Sequence, residues 1–338
     1  MRVLVLGATG HIGRRLVEML QNSSWAVPVA ASRSMVATFA GSETAQVNTR
    51  DAGALAKTLQ GVDAVVNCVA GDARSISEGA DSLVKAGLAS GGPRIVHLST
   101  MSVYGPVEGD VAEDVPLDPG LGWYGRAKCE AEAAVARYSD SGGGAVILRP
   151  GCVFGPGSEL WVGRVGRWLQ TGRVGDLGIA GDGWSNLVHV DDVCRAAMGA
   201  LQMPLQKGEL PAFNLAAPDS PRWNDYFVDL ALPLHAVPVQ RITRRQLHLD
   251  AWLAGPPLTL AQRALRMIGK KQAFLPDPIP PGLLRLWAQH IRLNSSAASR
   301  KLGLRWTPYA EGIESSANWF LSKQRRRPNT VDRQVCAH

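Results

Sequence analysis

Apolar and polar positions alternate along this chain at two periods, and the periods take turns. Val3, Leu4, Val5 and Leu6 form an unbroken apolar run, which suits a strand covered on both faces in a parallel sheet. Further short runs predict strands at residues 25–31, 46–49, 63–70 and 94–99, then one ending after Leu148 and another at 213–216. Between them, helical spacing predicts helices at 11–20, 51–59, 76–89 and 124–138. Strand and helix alternate through short links, so the fold class is α/β, with a doubly wound parallel sheet. Residues 1–155 are expected to form the sheet domain, with 185–217 returning to it. A smaller, mostly helical C-terminal cap takes 156–184 and 218–322, followed by a basic tail at 323–338.

The turn after the first strand carries Gly7, Gly10 and Gly13 at three-residue intervals. Glycines there allow a tight turn, close backbone approach to a phosphate, and close packing of the next helix on the strand. The helix beginning at His11 aims its positive dipole end at the same place. Together these features outline a cradle for a dinucleotide.

Composition narrows the class. With 338 residues the chain is long enough for two domain-sized units. It has no apolar segment of the roughly 18 to 20 residues that a membrane span needs, and it starts on a core strand, so no signal peptide and a cytoplasmic location are expected. Cys68, Cys129, Cys152, Cys194 and Cys336 are scattered without CxxC spacing, which indicates neither a disulfide framework nor zinc. The net charge of +7 gathers partly at Arg241 to Arg245 and Lys323 to Arg327. A solvated tail plus attraction of an anionic cofactor accounts for it, and no nucleic-acid partner is expected.

The second strand ends at Ser32 and Arg33 with no acidic residue. In dinucleotide folds an acid at this point takes the ribose hydroxyls, whereas an arginine takes the 2'-phosphate of NADP. NADP(H) is therefore the preferred cofactor, with Ser32 and Arg14 assisting and NAD(H) as the alternative. Asn48 and Thr49 are expected near the adenine, and Val69, Ala70 and Gly71 beside the pyrophosphate and ribose. Tyr124 and Lys128, four residues apart on one predicted helix, share a face.

Several motifs now occur in a fixed order: GATGHIG, DAVVNCVAG, STMSVYG, YGRAK, LRPGCVFGPG, NLVHVDDVCRA, Phe213-Asn214-Leu215, and LGLRWTPYAEGIESSANWF. In this order the chain resembles the extended short-chain dehydrogenase/reductases, the NAD(P)-dependent epimerase/dehydratase group, from residue 1 to about 322. The resemblance implies a Rossmann-like cofactor domain and a substrate-binding cap. It implies Tyr124 as general acid/base, Lys128 as its helper and holder of the nicotinamide ribose, and Thr100 as the hydroxyl that bonds the reacting oxygen. Thr9, His11, Ile12 and Leu98 join the cofactor set, and Pro150, Gly151, Cys152 and Val153 match residues lining the nicotinamide. Ser99 is expected to satisfy a backbone group nearby, and Cys152 to pack beside the ring rather than act as nucleophile. His189, Asp191 and Asp192 are expected to be structural, with Asp191 or Asp192 capping a helix, and no metal is expected. The helices bearing Lys85 and Lys128 resemble those that build a homodimer.

Departures from the family pattern bear on the substrate. Met101 and Ser102 stand where similar sugar dehydratases carry Asp-Glu, Ser185 and Asn186 stand where nucleotide-sugar enzymes carry an Arg, and the link after Ala70 is short and lacks the usual Asn. The cap holds Trp223, Tyr226, Phe227, Trp252, Phe274 and Trp287, residues that suit either an apolar ligand site or an ordinary core. Residues 283–293 alternate basic and apolar positions and read as a lid helix with a basic face, or as a surface for a membrane or hydrophobic substrate. The expected function is an NADP(H)-preferring oxidoreductase acting on a small-molecule substrate, an apolar, non-nucleotide ketone or alcohol. A sugar or nucleotide-sugar epimerase and a non-catalytic NADP(H)-sensing interaction protein are the alternatives.

Overall fold

The computed structural model describes residues 1–34, 39, 41–267 and 275–325. The chain runs through β1 (Arg2–Leu6), α1 (His11–Gln21), β2 (Val27–Ser32), β3 (Glu43–Gln46), α2 (Ala52–Thr58), β4 (Ala64–Asn67), α3 (Ala73–Ala89), β5 (Arg94–Leu98), β6 (Gly109–Val111), α4 (Trp123–Asp140), β7 (Ala145–Pro150) and β8 (Cys152–Phe154). After α5 (Val165–Gln170) come β9 (Leu187–His189), α6 (Val190–Gln202), β10 (Ala212–Leu215), α7 (Trp223–Ala231), α8 (Arg244–Leu249), α9 (Gly255–Met267), α10 (Pro281–Ala288), β11 (Ile291–Leu293), α11 (Ser296–Lys301) and α12 (Tyr309–Arg325).

Seven strands lie side by side in the order β10-β7-β5-β4-β1-β2-β3, all parallel. Alternation along each strand divides the core between the two faces of the sheet. Val3 and Val5 of β1 join Leu16, Leu20 and the α6 residues Val193 and Leu201 on one face, while Leu4 and Leu6 join Leu55, Leu83 and Val135 on the other. Each such leucine, taken fully out of water, contributes about 1.5 to 3 kcal/mol, so a helix slipped by one residue would forfeit its whole stripe. The strand order reverses between β1 and β4, and in open α/β sheets ligands bind outside the carboxyl ends of the strands at such a reversal.

The chain divides into two compact units: Met1–Val153, Trp184–Ser220 and Gln289–Thr307 make the first, and Phe154–Gly183, Pro221–Ala288 and Pro308–His338 the second. The second return of the chain to the first unit, at Gln289–Thr307, differs from the expectation that the cap takes 218–322 throughout. Residues 283–293 are correspondingly not one lid helix. Ile291–Leu293 is a strand paired in parallel with Gly109–Val111, in which Ile291 and Leu293 are buried and Arg292 exposed, a period of two rather than 3.6. In the second unit Trp168, Trp223, Phe227 and Trp287 are fully buried against one another. The cap aromatics are therefore mostly core, Trp252 is exposed, and Phe274 lies outside the described residues. The segment assigned to a tail starts inside a helix, since α12 continues to Arg325; 326–338 and Cys336 lie outside the described residues. Among the described residues no helix is long and apolar enough to cross a membrane.

Candidate active site

The glycine turn is tight enough to exclude side chains. Gly7 has φ +76°, and a Cβ on it would sit 2.8 Å from the Cys68 carbonyl oxygen at the end of β4. A Cβ on Gly13 would lie 2.3 Å from the Gly7 oxygen and 2.9 Å from the Ala8 Cα. Gly10 caps α1 without a side-chain hydrogen bond, and the first turn holds no acidic residue. The positive end of α1 thus meets no carboxylate of its own first turn. Thr9 and Gly10 are exposed, His11 and Ile12 half-buried, and Ala70 and Gly71 exposed across the turn from them.

At the end of β2, Arg33 is exposed, and the Ser32 hydroxyl is occupied by the Ser34 carbonyl. Arg33 and Arg50 both act on Asp72, whose carboxyl is held below its ordinary range chiefly by its hydrogen bonds with Ser75 and less by these arginines. Arg50 was not singled out in the sequence. Strand β3 covers residues 43–46 rather than 46–49. Asn48 and Thr49 fall in the turn that follows, where Asn48 Oδ1 accepts the Arg50 N–H at 3.2 Å and Asp51 caps α2 through the Ala54 N–H. Asn48 is exposed and Thr49 buried.

Helix α4 brings Tyr124 and Lys128 to the ends of the central strands. The Lys128 ammonium is buried and donates to the Leu98 carbonyl at 2.6 Å and to the Val69 carbonyl at 3.4 Å, tying the ends of β4 and β5. Burial drives its pKa down from 10.5 to about 8, against the opposing pull of Cys68 and Glu132. Burial raises the Tyr124 phenol above its ordinary value, and a hydrogen-bonding interaction with the Thr100 side chain works the other way. The helper role that the resemblance gives Lys128 would favour the phenolate, whereas the shift here runs the other way. Lys128 places two of its three donors on backbone carbonyls, and the groups that act on Tyr124 are its surroundings and Thr100. Thr100 also accepts the Ser102 N–H at 3.2 Å, capping the turn Met101–Tyr104.

Two buried polar atoms at the end of β5 have no hydrogen-bond partner among the described residues, His97 Nε2 and Ser99 Oγ. Ser99 thus does not satisfy a backbone group as expected. His97 meets Asn67 through Nδ1 at 3.2 Å, and burial, with Lys128 nearby, pushes its pKa down to about 3, so the ring is neutral.

Pro150 ends β7, Gly151 links it to β8, and Cys152 and Val153 lie in β8. A Cβ on Gly151 would lie 2.1 Å from the Asn186 oxygen, and the Cys152 N–H donates to that same oxygen at 2.9 Å. Burial pushes the Cys152 thiol far up, which is incompatible with a nucleophile at neutral pH. Asn186 has φ +45° and spends its amide on Ile291 and Leu293 backbone groups, both at 2.8 Å. Ser185 Oγ lies 3.0 Å from Ser220 Oγ. Neither position offers a cation. Asp191 and Asp192 do not cap α6; His189 does, accepting the Asp191 N–H. Asp191 pairs with Arg15, and Asp192 accepts from Thr307 and Arg195. Among the described residues no group of three or more His, Cys, Asp or Glu is placed to hold a metal.

A buried network missed in the sequence locks these parts together. Arg149 of β7 binds Glu132 of α4 through two hydrogen bonds, at 3.1 and 2.8 Å, and donates to the Tyr104 hydroxyl at 2.9 Å. Tyr104 donates to Asn214 of β10 at 2.6 Å. The elements carrying Thr100, Tyr124 and Lys128 are thereby bolted to the sheet. Gly125 serves the same end, since a Cβ there would lie 2.8 Å from the Ser102 oxygen. Its place inside YGRAK is the signal that was available.

A family model described as the NAD dependent epimerase/dehydratase family matches residues 3–216. The 2-alkyl-3-oxoalkanoate reductase of Stenotrophomonas maltophilia is 31% identical over 214 residues, 59% of this chain and 63% of the relative. The 2'-dehydrokanamycin reductase of Streptomyces kanamyceticus is 26% identical over 236 residues, 67% of this chain and 65% of the relative. The match thus spans less than two thirds of either relative. Among solved structures, the UDP-glucuronic acid 4-epimerase of Bacillus cereus, in complex with UDP-glucuronic acid and NAD, superposes with a TM-score of 0.67 at 20% identity, covering 96% of this chain and all of that one; at that identity the likeness is one of fold.

Proposed function

The chain belongs to the NAD dependent epimerase/dehydratase family, and from that premise we propose that it is an NADP(H)-preferring reductase of an apolar, non-nucleotide ketone. What supports this most directly is the pair on α4, a protonated Tyr124 phenol interacting with Thr100 and a buried Lys128 at the carboxyl ends of β4 and β5.

The glycine turn suits a dinucleotide, because the space that Cβ atoms on Gly7 and Gly13 would fill is already taken up by the close approach of β4 and α1. Gly7, Thr9, Gly10, His11, Ile12 and Gly13 would hold the pyrophosphate, with Val69, Ala70 and Gly71 opposite. Asn48 and Thr49 would border the adenine. Leu98, Pro150, Cys152 and Val153 would border the nicotinamide, whose ribose Lys128 would hold. Arg33, with Arg50 and Arg14, would take a 2'-phosphate; one charge-assisted contact of this kind contributes about 1.5 to 3 kcal/mol. The bound cofactor supplies hydride.

Thr100 orients the carbonyl oxygen of the substrate, and Tyr124 delivers the proton to it. A phenol whose pKa burial has raised keeps its proton at neutral pH, which favours the acid role and thus reduction. Positioned acid/base groups contribute about 10² to 10⁴-fold. Lys128, with a pKa of about 8, still carries its charge at neutral pH and offsets negative charge left on the phenol. With Asn186 bound to backbone and Ser185 to Ser220, an anchor for a nucleoside diphosphate is missing at these two positions, which weighs against a nucleotide-sugar epimerase. The name of the Stenotrophomonas relative, a reductase of 2-alkyl-3-oxoalkanoates, supports an apolar keto substrate. A cytoplasmic homodimer built on α3 and α4 completes the reading. The test is NADPH consumption with alkyl 3-oxoacids and alkyl ketones against UDP-sugars. Stoichiometric loss of NADPH with the former supports the proposal, and sugar inversion without net cofactor change overturns it.

A further inference from the structure

One helical stretch of the second unit is apolar on the side it shows to solvent. From 244 to 267 the backbone is helical almost without a break, through Arg244–Leu249, Asp250–Ala254 and Gly255–Met267. Its inner side is closed by Leu247, Ala251 and Gln262, all buried. Its outer side carries Leu249, Trp252, Leu253, Leu260 and Met267, exposed by 56, 61, 69, 66 and 88%, with Pro256, Pro257 and Ala264 exposed among them. These positions recur every three or four residues and so form a single stripe. Among the described residues eight large apolar side chains are at least 56% exposed, and five of them lie between 249 and 267. Scattered exposed leucines need no explanation, whereas a contiguous stripe marks a contact surface.

The charges around the stripe indicate what it contacts. Arg244 and Arg245 are exposed at its start. Asp250, the acid within the run, is occupied by Arg173. From there to Asp277 the sequence has no Asp or Glu. An apolar face with tryptophan and leucines, exposed arginines at its start and no acid along it but the paired Asp250 matches a helix that lies in the plane of an anionic lipid surface, with its apolar side among the acyl chains and its cations at the head groups. A protein partner of ordinary composition would not require the long acid-free run.

We propose that residues 244–267 dock this protein on the surface of a bilayer containing anionic phospholipid, as a peripheral element that does not span it. The docking surface stands independently of the redox function.

The test uses the full chain and sedimentation with large vesicles, one set of phosphatidylcholine alone and one of phosphatidylcholine with an equal part of phosphatidylglycerol. Binding to the anionic set is expected to be at least about tenfold tighter and to weaken with added salt. The double variant Leu253→Glu, Leu260→Glu is expected to lose at least about tenfold in affinity for anionic vesicles while its unfolding midpoint stays unchanged. Trp252→Ser with Met267→Ser is the second pair should the first fail to fold. A chain that does not sediment with phosphatidylglycerol vesicles at low salt overturns the proposal. So does binding that survives both double variants, which would assign it to the basic C-terminal residues. A change of oligomeric state on removing the stripe, without vesicle binding, would make the surface a self-association site and equally overturn it.

Discussion

Replacing Lys128 by methionine should make the protein more stable and inactive at once. The ammonium is 3% exposed, and its pKa falls from 10.5 to about 8 on folding because burial penalises the charge. At about 1.36 kcal/mol per pH unit, holding it charged at pH 7 costs the fold roughly 3 kcal/mol. Methionine fills nearly the same volume without a charge, but leaves the Leu98 and Val69 carbonyls without their donor, a loss of at least about 1 kcal/mol. The net expectation is a gain of up to about 2 kcal/mol at pH 7. The pH dependence gives a second check. Between pH 8 and 10.5 the unfolded chain holds a proton that the folded chain has released, so the stability of the natural protein from this group rises with pH across that window and levels off above it. Urea unfolding of both proteins from pH 7 to 10.5 isolates the effect, because the other titrating groups cancel in the difference. The advantage of Lys128→Met should shrink as pH rises. A variant less stable than the natural protein at pH 7, or a gap that does not change with pH, would refute the reasoning that burial governs this lysine.

Other outcomes follow from the same geometry. Tyr124→Phe should lower kcat by about 10² to 10⁴-fold while NADPH affinity, measured by fluorescence titration, stays within a few-fold; equal losses in both would remove the phenol from the chemistry. Arg33→Ala should shift the ratio of kcat/KM for NADPH over NADH towards NADH by about ten- to a hundredfold, and an unmoved ratio would strip Arg33 of its phosphate. Gly13→Ala, with its Cβ 2.3 Å from the Gly7 oxygen, should cost at least about 2 kcal/mol and abolish dinucleotide binding; calorimetry checks the first and titration the second. Glu132→Ala should destabilise by about 3 to 5 kcal/mol, since Arg149 would remain buried without its counter-charge, and a midpoint close to that of the natural protein would count against the network.

What was legible in the chain was what local order alone dictates. The run Val3 to Leu6 with its three glycines fixed the first strand, turn and helix, because no other short arrangement satisfies so dense an apolar segment. The pair Tyr124 and Lys128 was legible from spacing. Less was legible at β3, where Thr44, Ala45 and Gln46 carry little apolar signal and the Asp51 cap, rather than periodicity, decides where the chain turns. Asp191 and Asp192 look like caps in sequence, but a histidine holding the first turn frees both for partners far along the chain, Arg15 and Thr307. The bond between Glu132 and Arg149 depends on a helix settling against one strand, which no spacing encodes. Three-residue strands such as 291–293 are too short for a period of two to stand out from a helical one.

The pairing of Gly109–Val111 with Ile291–Leu293 has a consequence for how the molecule is born. A ribosome delivers the seven-stranded layer by residue 215, yet the partner of that short strand, at 291–293, emerges only after the intervening helices of the second unit. Nascent chains should therefore linger with an open seam beside a finished seven-stranded sheet, and premature termination after α10 should yield a species that chaperones hold and proteases clip close to Gly109.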